Sequence, residues 1–406
     1  MKWRSTHIGE FVDRGVANIQ TGPFGTQLKA SDYVADGIPV INVRNIGYGR
    51  LRENDLEHVT ETTSERLVAH VLKHGDIVFG RKGAVDRHLL VQNGQAGWMQ
   101  GSDCIRLRLA TDEIEPKFLS YCFLSPSHQE WMLTQSSNKA TMASLNQDII
   151  KRIPIRVPSP QTQQDVVAIL SAYDDLLENN ARRIKLLEES ARLLYEEWFV
   201  RLRFPGHEHT PIHNDLPKGW QAKVLCDLCQ AVRETVHPNE LEPDTPYIGL
   251  EHIPRRSITL GTWGRADEVD STKHLYQTGD ILFGKIRPYF HKVGVALTDG
   301  ITSSDAIVIR PTSDELLPLV LLTTSSDHFV ATASKTAREG SKMPRADWKL
   351  MQQFSVLLPP TPLLKAFNDF ITPVLGQLKA LTFANHKLQQ ARDLLLPRLM
   401  NGEIAV

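Results

Sequence analysis

The sequence is poor in the features that extracellular and membrane proteins rely on. Its 406 residues hold four cysteines, Cys104, Cys122, Cys226 and Cys229. They are too few and too unevenly spaced for a disulfide lattice, so a reducing compartment, the cytoplasm, is expected. No run approaches the roughly 18 apolar residues of a membrane span, and the opening MKWRSTHIGEF has no apolar core of signal length. Membrane and secreted classes are therefore disfavoured. An excess of either charge is also missing: 46 Lys and Arg face 47 Asp and Glu, a net charge of -1. That balance by itself argues against a nucleic-acid partner.

Catalytic equipment is equally scarce. The chain has no GxxxxGK[ST] phosphate loop, no GxGxxG opening a helix, no HExxH and no GxSxG elbow. Cys226-Asp227-Leu228-Cys229 has metal-ligand spacing but supplies only half of a structural zinc site. His207, His209 and His213 fall in a Pro- and Gly-containing linker and read as solvated. The best hydrolytic group is Asp103 with Glu115-Pro116-Lys117, which mimics a magnesium-dependent nuclease. Two features weaken it: Pro116 would break the strand that such a motif needs, and the second half of the chain has no counterpart.

What the sequence does have is a duplication. Gly75-Asp76-Ile77-Val78-Phe79-Gly80 returns as Gly279-Asp280-Ile281-Leu282-Phe283-Gly284, each followed by a basic residue, Arg81 or Lys285. Ser102-Asp103 returns as Ser304-Asp305, and from Met142 onward the halves align at a constant offset of 201. Short β-branched runs between Gly, Asn and Asp turns predict a strand-rich mixed unit in each half. Pro154, Pro158 and Pro160, and then Pro359, Pro360 and Pro362, mark the exits from those units.

After each exit comes a heptad seam. The first runs through Val166, Leu170, Tyr173, Leu177, Asn180, Ile184, Leu187, Ala191, Leu194 and Trp198. The second runs through Phe367, Ile371, Val374, Leu378, Leu381, Asn385, Leu388, Arg392, Leu395 and Leu399. Ser171 and Thr372 read as N-caps, so a short helix, a break and a long helix are expected, over about 172–200 and about 373–399. At about 1.5 Å per residue the long part would span about 40 Å. The first helix is acidic, with 4 basic and 8 acidic residues over 160–200, whereas 361–406 holds 5 and 3. The spacing therefore predicts one intramolecular antiparallel coiled coil about a pseudo-twofold axis, in which Asn180 faces Asn385 and the pair fixes register. Two similar heads on such a spacer suit a reader of two DNA half-sites about one helical turn, roughly 34 to 36 Å, apart.

The motifs carry a resemblance. TGPFGTQLK (Thr21 to Lys29), GIPVINVRNI (Gly37 to Ile46), the paired GDI[VL]FG segments with FGKIRPY, SSDAIVIRP (Ser303 to Pro311) and the ending ARDLLLPRLMNGEI occur in this order over essentially the whole chain. Together they resemble the specificity subunits of type I restriction-modification systems. The resemblance implies an α+β fold in which two repeated, strand-rich target recognition domains are joined by two long helices. The corresponding division is a first recognition domain over 1–159, a helical spacer over 160–203 and a linker over 204–214. The second recognition domain covers 215–360 and the second helical spacer 361–406. It further implies a non-catalytic chain that binds double-stranded DNA and docks two modification subunits, with restriction subunits where the complex also cleaves. S-adenosylmethionine, ATP and Mg would then belong to the partners, and this chain would carry no cofactor.

The residues expected at DNA are basic groups in Gly-containing loops and at strand ends. In the first head they are Lys29, Arg44, Asn45, Arg81, Lys82 and Lys139, and in the second Arg255, Arg256, Lys285, Arg287, Lys342 and Arg345. Arg and Asn can read base edges through paired hydrogen bonds, whereas Lys more often sits on phosphate. The loop after the GDI strand differs between heads, Arg81-Lys82-Gly83-Ala84 against Lys285-Ile286-Arg287-Pro288. Trp198 and Phe199, large apolar groups at a helix end, are the expected partner surface. Two rival readings stand beside this one: a self-sufficient duplicated DNA-binding protein, and the magnesium-dependent nuclease.

Overall fold

The computed structural model describes residues 3–53, 55–136, 144–214, 216–337 and 343–406. The chain folds as two compact units, one formed by Met1–Leu176 with Leu388–Val406, the other by Leu177–Lys387.

In the first unit the GDI segment becomes strand Ile77–Gly80, fully buried at the centre of a five-stranded sheet. The strand order is Ala17–Thr21, Cys104–Leu109, Ile77–Gly80, His88–Leu90, Tyr48–Gly49. The second unit repeats it as Cys229–Val232, Ala306–Pro311, Ile281–Gly284, Val293–Ala296, Thr259–Leu260. Register is conserved as well: Leu107 lies opposite Ile77 and Ile309 opposite Ile281. The units diverge in their second sheets, four-stranded in the first and five-stranded in the other.

The local chemistry of the repeated motif explains its persistence. Gly75 and Gly279 turn the chain at φ +84° and +91°, a region that costs other residues dearly. The next residue, Asp76 or Asp280, is nearly inaccessible and meets an arginine on the neighbouring strand. Arg108 Nε and a terminal nitrogen reach Asp76 at 2.7 and 2.6 Å, and Arg310 reaches Asp280 at 2.8 and 2.7 Å. Each carboxylate also accepts a backbone N–H, that of Lys73 at 2.7 Å or Gln277 at 2.8 Å. The motif is thus a strand entry locked by a buried, bidentate ion pair.

The long helices are Pro160–Tyr195, continued by a wider turn over Glu196–Val200, and Thr361–Met400. The expected breaks at Ser171 and Thr372 are absent. The first helix instead starts where Ser159 Oγ accepts the Thr162 N–H at 3.3 Å and Pro160 stands as a leading residue. Val166 and Leu170 are then buried against Phe118 and Tyr121, and this packing carries the helix through Ser171. Pro373 removes one donor inside the second helix, but Phe367, Ile371, Val374 and Leu378 are buried on both sides of it and offset the loss.

Within the second unit the two helices run antiparallel. Asn180 Nδ2 donates to Asn385 Oδ1 at 2.9 Å, while Trp198 and Phe199 lie on Phe367. Within the first unit the irregular seam residue Arg392 is matched by Asp174 at 3.0 Å. That carboxylate also accepts from Arg50 at 2.6 Å and from the Tyr121 hydroxyl at 2.8 Å. No single helix among the described residues is long and apolar enough to cross a membrane.

Among the described residues the first head buries three imidazoles, His70, His88 and His128. His88 Nε2 lies 2.7 Å from Ser120 Oγ, and His128 stacks on Phe123 with centroids 4.5 Å apart. Burial, then the neighbouring His128, pushes His88 down to about 3, and burial pushes His128 down to about 4. His88 and His128 are neutral in the folded state, and neither affects stability above pH 6.5. As pH falls from 6.5 toward 4 the unfolded chain binds protons that the folded chain does not, so stability is lost, by about 1.4 kcal/mol per imidazole at pH 5.5. Urea midpoints measured from pH 7.5 to 5 should fall accordingly, and H128F, which keeps the stack on Phe123, should reduce that fall by about 1.4 kcal/mol at pH 5.5. An unchanged midpoint across this range would contradict the burial.

Candidate nucleic-acid interface

The end of the central strand is built identically in both units. Arg81 N–H donates to Asp103 O at 2.8 Å, and Arg81 O accepts from Leu145 N–H at 2.8 Å. Lys285 makes the same two bonds, to Asp305 O at 2.9 Å and from Ala346 N–H at 2.8 Å. Strand end, Ser-Asp turn and the loop before a short helix therefore converge twice.

In the second head this junction opens on a cleft of about 460 Å³ lined by Arg233, His274, Lys285, Ser304, Arg345 and Lys349, with Trp348 at its wall. Lys285 Nζ donates to Ser304 O and lies 4.0 Å from Asp305 Oδ1, while Arg345 reaches the same oxygen at 3.4 Å. His274 is held below the ordinary imidazole range, by burial first and then by Lys285 and Arg233. Such a cleft presents donors and positive charge to a phosphate or a base edge.

A second cationic group forms around Phe290. Arg255 lies 4.0 Å and Arg287 5.8 Å from the ring centroid, next to exposed Tyr289. Arg287 and His291 flank this turn at φ +48° and +54°, left-handed conformations that non-glycine residues adopt only at some cost. Arg256 belongs elsewhere. It pairs with Asp327 at 2.9 Å and lines a separate pocket with Arg192, Tyr195 and His291.

In the first head Arg81 lies over Phe24, 4.8 Å from the centroid, and Lys82 stands 3.5 Å from Asp103. Lys29 is exposed at the start of a short turn. Arg44 is exposed but engaged, 3.0 Å from Glu57 and donating through Nε to Asp55 O at 3.0 Å. Lys139 and Lys342 lie outside the described residues.

Two expectations need correction. Asn45 is fully buried: its Oδ1 accepts from Asn42 N–H at 3.1 Å and its Nδ2 donates to Arg52 O at 3.0 Å. Its amide closes its own loop and has no free edge for a base. Phe199 is also interior, 7% exposed and packed on Tyr195, Trp220 and Phe367, while Trp198 is half-buried on Phe367. The outward apolar groups of the first long helix and its continuation are instead Leu176, Leu186, Leu193 and Val200, of which Leu186 and Leu193 are 64% and 52% exposed. Seven residues apart, Leu186 and Leu193 share a face.

Sequence reasoning missed Arg233, His274, Trp348 and Lys349, which no motif marks, and also the aromatic platforms. Phe24 sits inside the TGPFGTQLK segment and Phe290 directly follows FGKIRPY, and aromatics beside basic residues were the available signal. The nuclease-like Glu115-Pro116-Lys117 opens helix Pro116–Leu124 and is not on a strand. Cys229 is buried with its thiol pushed up to about 12 by burial, whereas Cys226 is exposed.

Comparison with known proteins adds an independent finding. Residues 13–189 match the family model of the type I restriction modification DNA specificity domain. The chain is 22% identical to the MjaIX type I restriction enzyme specificity subunit of Methanocaldococcus jannaschii, over 93% of this chain and 89% of that one. It is 20% identical to the HindI specificity subunit of Haemophilus influenzae, over 89% and 94%. The crystal structure of a type I restriction-modification S subunit from M. genitalium superposes with a TM-score of 0.60 at 15% identity, covering 98% of this chain and 96% of that one.

Proposed function

We propose that this chain is a DNA specificity subunit of the type I restriction-modification family and that its two heads read the two parts of a bipartite target. The carrying observation is the junction built twice at the end of the central strand, with Arg81 and Lys82 in one head and Lys285 and Arg345 in the other. In this reading Arg81, on its Phe24 platform, and Arg345 face base edges, while Lys29, Lys82 and Lys285 sit on phosphate. Arg255 and Arg287 extend the second contact around Phe290. Double-stranded DNA is the ligand and the cytoplasm the site of action. Two modification subunits would dock on the helices, and they, with restriction subunits where present, would hold S-adenosylmethionine, ATP and Mg. Leu186 and Leu193 fit that docking better than buried Phe199.

The decisive experiment sequences methylated positions in DNA from cells expressing the chain with its modification subunit. A bipartite motif is expected, and K285A/R345A should alter only one of its two parts. A contiguous motif, or a change in both parts, would overturn the assignment.

Register in the coiled coil belongs to the same reading, because it sets how the two heads meet their half-sites. We assign it to the Asn180–Asn385 amide pair. N180L should cost about 1–3 kcal/mol by leaving Asn385 without its partner, and N180L/N385L should recover most of that loss. Thermal unfolding of the four members of this cycle checks it, and additive losses would remove the pair from that role.

A further inference from the structure

Against Lys285 and Arg345, two cations that line the second-head cleft, stands a carboxylate, Asp305, where a DNA-binding surface would be expected to avoid one. Asp305 Oδ1 is approached by Arg345 at 3.4 Å and Lys285 at 4.0 Å. The cleft around them carries Arg233, Lys349 and a second carboxylate, Asp347, whose Oδ1 is taken by the Lys349 N–H at 2.9 Å. Asp305 is not needed to close its own turn through its side chain: its backbone N–H bonds Ser303 Oγ at 3.2 Å, and its carbonyl accepts from Lys285. The carboxylate is therefore available to the two cations.

We propose that Asp305 is a specificity-determining residue, a competing acceptor that Arg345 leaves for a base edge but not for phosphate alone. The proposal rests on the reading that this cleft faces DNA. An exposed arginine-carboxylate contact and an exposed arginine-phosphate contact are similar in strength, so exchanging one for the other gains little. A guanine edge offers the guanidinium two parallel acceptors, O6 and N7, and that exchange is favourable. Asp305 thus subtracts from non-specific binding and leaves the matched contact ahead.

The first head lacks this arrangement. Asp103 meets Lys82 at 3.5 Å, and opposite Lys82 stands Ser144, whereas Arg345 stands opposite Ile286. A lysine is a point donor that positions on phosphate. The acidic filter has an arginine to restrain only in the second head.

The test uses the full chain assembled with its modification subunits, and measures anisotropy of a labelled duplex carrying the methylated target and of a scrambled duplex over a range of salt. D305N should tighten scrambled binding about three- to fivefold while changing target binding less than about twofold. The salt slope on scrambled DNA should steepen by about one. D305E should restore the wild-type ratio, D103N should leave it unchanged, and in an R345A chain D305N should no longer change it. Equal loss on both duplexes would make Asp305 a scaffold residue and overturn the inference, as would no change in either or an equal shift from D103N. If the wild-type complex itself fails to distinguish the duplexes, it is the DNA-reading function that falls.

Discussion

R310M is expected to lower the stability of the second head by about 3–5 kcal/mol. Asp280 is 2% exposed, and its two oxygens take both nitrogens of the Arg310 fork at 2.8 and 2.7 Å. Burying that carboxylate is costly, and the ion pair compensates only while both members are present. Methionine fills the arginine stem but leaves the charge uncompensated. Replacing both partners, as in D280L/R310M, should recover most of the loss, short by about 1 kcal/mol because Gln277 N–H then loses its acceptor. R108M should behave alike in the first head, where Arg108 also bonds Val71 O at 2.9 Å. Urea unfolding of each variant measures the effect, and a loss below about 1 kcal/mol would show that the pair is solvated.

The pair also shows where sequence reading stops. The repeated hexamer was visible as a repeat because six residues recur in order, and the strand was visible in its β-branched run. The role of its aspartate was not, since Arg108 and Arg310 lie about thirty positions downstream and meet it only through the strand register. Asn180 and Asn385 were legible for the opposite reason: a helix fixes which residues share a face, so one polar residue in each apolar seam pointed to its partner. Asn45 misled because a basic loop with an amide looks like a base reader, whereas irregular backbone inside a fold needs amides to satisfy its own N–H and C=O groups. Ser171 and Thr372 misled because local start signals yield to a buried seam on both sides.

That competition between local signal and packing also governs the end of the first helix, where F199A is expected to cost about 3–5 kcal/mol. A large apolar pair at a helix terminus reads as an exposed docking surface if the helix keeps its 3.6-residue turn. Over Glu196–Val200 the helix widens by one residue per turn, so both Trp198 and Phe199 fall on Phe367, at 5.7 and 4.8 Å. Phe199 additionally stacks on Tyr195 at 5.3 Å and meets Trp220 at 5.5 Å, so truncation leaves a cavity bounded by three aromatic rings. L193D, on the exposed face, should change stability by no more than about 0.5 kcal/mol yet weaken capture of the modification subunit. Urea unfolding and co-purification of each variant separate the two roles. An F199A chain of wild-type stability that no longer binds its partner would return Phe199 to the surface, whereas unfolding before loss of the partner fixes it in the core.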